Sequence, residues 1–142
     1  MNQALLVLHL LGMAMGLSVS FANIVMAGIG AKATPDERKI LLRFPGAMIR
    51  VGDNGLTLLI TTGPILLFTK YQGFAGMPWT FHVKLTAVVV LLGAVGFIHA
   101  NMRKMVAGDQ AAMARVKMVG PIALLSALTA VVFAVLTFTK AV

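Results

Sequence analysis

The chain contains no cysteine, so disulfides, thiolate metal sites and iron–sulfur clusters held by its own side chains are excluded. Acidic residues are nearly as scarce: four Asp and Glu stand against twelve Lys and Arg in 142 residues. No phosphate-cradling loop, no nucleophile with a base beside it and no carboxylate pair placed for acid–base work occurs. That removes the commoner nucleotide-dependent and hydrolytic chemistries. Charge of either sign is thin at 11%, against 59% hydrophobic residues and a mean hydropathy of +0.94. A water-soluble domain needs more polar surface than this, so the chain reads as one multi-pass membrane domain, 1–142.

What is present is four long apolar runs, at roughly 3–27, 52–69, 81–101 and 119–138. Each is near the ~20 residues that cross a bilayer. The expected fold is all-α, a four-helix transmembrane bundle. Met1, Asn2 and Gln3 precede the first run without a positive charge, unlike the start of a signal peptide, so the first span is expected to be retained. Gly63-Pro64 inside the second span and Gly120-Pro121 opening the fourth are breakers that a membrane helix tolerates. The segment 31–50 reads as an interfacial helix or loop, with Pro35, Asp36 and Glu37 marking a helix start.

The net charge of +8 is distributed as topology rather than as a nucleic-acid surface. Lys32, Arg38, Lys39, Arg43 and Arg50 lie between spans one and two, and Arg103, Lys104, Arg115 and Lys117 between spans three and four. The middle connection has Lys70, and the C-terminus has Lys140. By the positive-inside rule the two basic connections are expected to be cytoplasmic and both termini outside, periplasmic in a bacterial inner membrane. The basic excess then attracts anionic lipid; no nucleic-acid partner is expected.

Ionisable residues inside spans are the places where function is sought. In span one His9, Gly12, Met13, Gly16, Ser20 and Asn23 share a helical face, and Gly12 with Gly16 forms a small-xxx-small pair. In span two the polar face is Asp53, Thr57, Thr61 and Pro64, with Arg50 one turn before Asp53 as an ion-pair partner. In span four it is Ser126, Thr129, Phe133 and Thr137. In span three His82 shares a face with Thr86, Gly93 and Gly96, whereas Lys84 lies about 200° away on the face of Val88, Leu91, Val95 and His99. Periodicity turns His82 inward and lets Lys84 snorkel outward. His9, His82 and Lys84 are expected at comparable depth, with His99 about 25 Å from His82 along the axis. The three histidines therefore form no single metal site, but His9 with His82 or Lys84 can flank one cofactor. Each also has a plainer role: His9 in packing, His82 beside Trp79 and His99 beside Asn101 as interface residues. The ten methionines, with Met102, Met105, Met113 and Met118 near the third connection, suit copper(I) or simple packing.

One stretch is more specific. FHVKLTAVVVLL at 81–92 resembles the W-x-H-x-K-L segment that opens the third helix of the HemJ-type protoporphyrinogen oxidase family, through His82, Lys84 and Leu85. RKMVAGD at 103–109 is similar to the family's basic loop. Arg115 with Pro121 matches its R-x-x-N-E-x-P spacing, Lys140 its C-terminal lysine, and His9 its first-helix histidine. Met118-Val119 replaces the Asn-Glu pair, Trp79 stands one residue further from Lys84, and His99 falls about a turn late for the histidine that ends helix three. The resemblance implies a divergent relative that binds haem b and oxidises protoporphyrinogen IX to protoporphyrin IX, passing electrons towards quinone. His9 would be one axial ligand, with His82 opposite it as the second metal ligand. Lys84 would meet a propionate or belong to the catalytic substrate site. Two rival readings remain open at this point. One is a metal transport or resistance protein using methionine and histidine. The other is a non-catalytic subunit whose glycine-rich faces dock on a second copy or a larger complex.

Overall fold

A computed structural model of the chain describes residues 2–139; Lys140 lies outside them. Five helices follow one another: α1 (Asn2–Lys32), α2 (Pro35–Leu41), α3 (Arg43–Lys70), α4 (Trp79–Val106) and α5 (Gln110–Thr139), with no strand among the described residues. Four segments, Gln3–Lys32, Pro35–Lys70, Trp79–Val106 and Gln110–Thr139, are long and apolar enough to cross a membrane. Their outward surface is apolar as well. Val25, Val89 and Leu125 are each at least 60% exposed, an arrangement suited to lipid and costly in water. The protein is therefore a multi-pass membrane protein.

The helices overrun the apolar runs. At 28 residues, α4 is about 42 Å long, against ~30 Å of hydrocarbon. The surplus of α4 ends in Arg103 and Lys104, and α5 starts at Gln110 rather than near 119, so Gly120-Pro121 sits inside a helix instead of opening one. Hydropathy reports where lipid begins, whereas the backbone keeps its hydrogen bonds for two further turns in water or among headgroups. The start expected at Pro35 is present. Thr34 caps α2 in a full capping box with Glu37, and Pro35 takes the first turn, where a missing N–H costs nothing.

The chain divides into two compact units, Met1–Gly76 and Met77–Val142. In the first, α1 and α3 run antiparallel and cross where Gly12 meets Gly55. A Cβ on Gly12 would stand 2.8 Å from the Gly55 carbonyl oxygen, and one on Gly55 would stand 2.9 Å from that of Gly12. Only glycine permits backbones this close, and in lipid such close packing is what holds helices together. Gly16 is not an equal partner: an added Cβ there meets nothing within 4 Å.

In the second unit, α4 and α5 form an antiparallel hairpin joined by Ala107, Gly108 and Asp109. Gly108 holds φ +93°, a left-handed conformation that a side chain would strain. Asp109 then accepts from the N–H groups of Ala111 (2.9 Å) and Ala112 (3.3 Å), capping α5. Asp109→Ala should cost about 1 kcal/mol and Asp109→Asn little, measured as the midpoint of unfolding when SDS is titrated into mild detergent. Equal losses for both would contradict the capping role.

The buried stripe of α4 is Thr80, Ala87, Ala94 and Asn101, one residue every seven, joined by Phe81 and Met105. On α5 it is Ala112, Ala123, Ser126, Ala127 and Thr137. Mostly small residues thus face each other, as in other closely packed membrane helices. Polar contacts pin both ends. The Thr80 and Thr137 hydroxyls share a 2.8 Å hydrogen bond, and Arg115 donates to the Asn101 side-chain oxygen at 3.5 Å. Thr80 and Asn101 are roughly 30 Å apart along the helix, the depth of the hydrocarbon layer. The Thr137 hydroxyl also has the Phe133 carbonyl, at 2.6 Å, so Thr80→Val leaves it satisfied and should cost only about 0.6 kcal/mol in the same titration. A loss well above ~2 kcal/mol would show that the pair carries more than such bonds usually do.

Candidate cofactor site

His9 lies half-buried on α1, facing α3. Its Nδ1 is 2.8 Å from the Thr62 hydroxyl oxygen, and Thr62 is only 4% exposed. That hydroxyl also bonds the Leu58 carbonyl one turn earlier. A carbonyl accepts only, and a hydroxyl has one proton. The Thr62 proton therefore goes to Leu58, and the Thr62 oxygen accepts from Nδ1–H of His9. The neutral ring then carries its lone pair on Nε2, the form in which imidazole binds a metal. Gly63 completes the seat: a Cβ there would touch the His9 ring, 3.4 Å from Cε1.

His82 belongs to the other unit. With Val83, Thr86, Ala87 and Val90 of α4, and Ile122, Leu125, Ser126 and Thr129 of α5, it lines an open, mainly apolar groove of about 500 Å³. That is within the ~300–1,000 Å³ usual for small-molecule sites. The Thr86 and Thr129 hydroxyls donate to carbonyls of their own helices, so their oxygens remain acceptors. Lys84 behaves differently from the outward snorkelling expected of it. It is partly buried, and its ammonium lies over the Phe138 ring of α5, 4.9 Å from the centroid, a favourable cation–π placement. Phe138 gives the charge a partner that helical periodicity in α4 alone does not reveal.

Within their own units, α3 and α4 pack through residues other than those of the polar faces read from the sequence. On α3 the residues buried are Gly55, Thr62, Leu66 and Leu67, while Thr57, Thr61 and Pro64 are exposed. The Thr57 and Thr61 hydroxyls bond the Asp53 and Thr57 carbonyls, which satisfies them within their own helix. On α4, Gly93 and Gly96 are exposed with nothing near an added Cβ, and His82 and Thr86 are likewise exposed, at the groove rather than in the buried stripe. Of the face read on α5, Ser126 and Thr137 are buried, Thr129 lines the groove, and Phe133 packs edge-on against Trp79 at 5.9 Å. His99 uses its Nδ1–H on the Val95 carbonyl of its own helix, 2.9 Å away.

Thr62 and Gly63 are the site residues missed by reading polarity alone. The signal was in the chain, since Gly63-Pro64 marks a thin point on the helix, but Thr61 drew attention one position away. Among the described residues, no three His, Asp or Glu side chains gather as a metal site. His9 and His82 stand in different units, and each offers a single imidazole, the kind of side chain that can ligate a haem iron. No family model, curated protein or solved structure matches the chain.

Proposed function

We propose that the chain is a haem b-binding redox protein of the bacterial inner membrane, of the HemJ-like kind its sequence resembles. The observation that carries this reading is His9, inside a span and held with Nδ1 as the donor to Thr62, which leaves Nε2 as the ligating nitrogen. By the resemblance His82 is a second candidate ligand; it is exposed at an open apolar groove of about 500 Å³ within its own unit. Lys84 offers a cation to a propionate. When bound, the haem supplies the electron transfer; the chain binds it, orients it and keeps water away. The proposed reaction is oxidation of protoporphyrinogen IX to protoporphyrin IX, with the electrons passing to a quinone in the bilayer.

The placement of charge supports a topology for this reading. Each unit carries its cations at its connecting end: Lys32, Arg38, Lys39 and Arg43 in the first, and Arg103, Lys104, Arg115 and Lys117 in the second. With both ends cytoplasmic the termini lie outside. Expression with supplied haem, followed by absorption spectroscopy of detergent-purified protein, tests the function. A Soret band at about one haem per chain is expected; a colourless, folded protein overturns the reading.

A further inference from the structure

We infer that Thr62 is a positioning residue for the haem ligand: its hydroxyl fixes the proton of His9 on Nδ1 and so determines which nitrogen meets the iron. This rests on the haem reading of His9 but adds a residue from another helix, outside the motifs that suggested haem.

The inference follows from proton counting along three groups. The Leu58 carbonyl has no proton to give. Thr62 donates its single proton there, as threonine commonly does four residues back along a helix. The Thr62 oxygen is left as an acceptor 2.8 Å from His9 Nδ1. The chain of bonds therefore has one direction, from Nδ1–H through the hydroxyl to the carbonyl. In apolar surroundings each bond strengthens the next, and reversing them would leave the Leu58 carbonyl without this donor.

Two consequences bear on a bound iron. The acceptor at Nδ1 fixes the tautomer and the ring's orientation, the usual task of a partner behind a metal-binding histidine. It also increases electron density on the ring, which favours ferric over ferrous iron and lowers the reduction potential. Gly63 lies beside the same ring: an added Cβ there would make ordinary van der Waals contact with Cε1 at 3.4 Å. Thr61 supplies an internal control. Its hydroxyl makes the same kind of bond to its own helix, at 2.7 Å to the Thr57 carbonyl, but it is exposed.

The test uses the full chain in detergent with Thr62→Val, Thr62→Ser and Thr61→Val. Nitrogen-15 NMR of histidine-labelled, haem-free protein reads the His9 tautomer, and haem titration with potentiometry reads affinity and potential. The wild type, Thr62→Ser and Thr61→Val are expected to show the proton on Nδ1 and the same haem affinity. Thr62→Val should show mixed tautomers, bind haem about 10–100-fold more weakly and have a raised potential. Wild-type His9 protonated on Nε2, or Thr62→Val with unchanged affinity and potential, overturns the inference and leaves the haem reading standing. A wild type that takes up no haem overturns both.

Discussion

Gly55→Ala should push α1 and α3 apart and cost about 1–3 kcal/mol, whereas Gly16→Ala, on the same crossing, should be neutral or slightly stabilising. The reason is what the new methyl meets. At Gly55 it would lie 2.9 Å from the Gly12 carbonyl oxygen, 2.9 Å from Met15 Cβ and 3.2 Å from the Gly16 nitrogen. All belong to the backbone or the root of a side chain, so none can rotate away. The helices must separate, and the dispersion contacts along the seam weaken together. At Gly16 nothing lies within 4 Å of the added atom, and alanine is the better helix former by up to ~1 kcal/mol. Titrating SDS into detergent-solubilised protein compares the two. Equal destabilisation would refute the crossing described above.

The same substitution should reach the cofactor site. Thr62 is two turns along α3 from Gly55, so moving α3 outward stretches the 2.8 Å contact with His9. A hydrogen bond loses most of its value within a few tenths of an ångström beyond its usual range. Gly55→Ala is therefore expected to weaken haem binding as well as the fold, in the direction of Thr62→Val. Gly16→Ala should leave binding unchanged.

How much of this was legible in the sequence differs from helix to helix. The four spans and the helix start at Pro35 could be read directly, because lipid demands long apolar runs and Thr34 with Glu37 makes a capping box. Parts of the α1 and α5 faces were also visible, through Gly12 beside His9 and through Ser126 with Thr137, although Asn23 is exposed and Thr129 lines the groove. The face that α3 turns to α1 and the face that α4 turns to α5 were not visible, for one physical reason. In a membrane a threonine can satisfy its hydroxyl on its own helix, as Thr57, Thr61 and Thr86 do, so polarity stops marking the inside. Size marks it instead. Gly55 against Gly12, and Ala87 and Ala94 between Thr80 and Asn101, are where helices approach within each unit, while Gly93 and Gly96 take no part in the α4–α5 contact. The partner of His9 depended on whether residue 61 or 62 faced α1, a rotation of about 100° that hydropathy does not resolve.

His9→Ala carries the largest expected effect, complete loss of bound haem. Removing the imidazole takes away the one histidine among the described residues of α1, and Thr62 and Gly63 beside it on α3 supply a hydroxyl already bonded to Leu58 and no side chain at all. His99→Ala is the matched control, since that ring bonds the Val95 carbonyl of its own helix and has no proposed part in ligation. The most direct measurement is a reduced-minus-oxidised absorption spectrum of the purified protein and these two variants. The α and β bands of a b-type haem in the wild type and in His99→Ala, with none in His9→Ala, are what the account predicts; bands of equal strength in His9→Ala would contradict it.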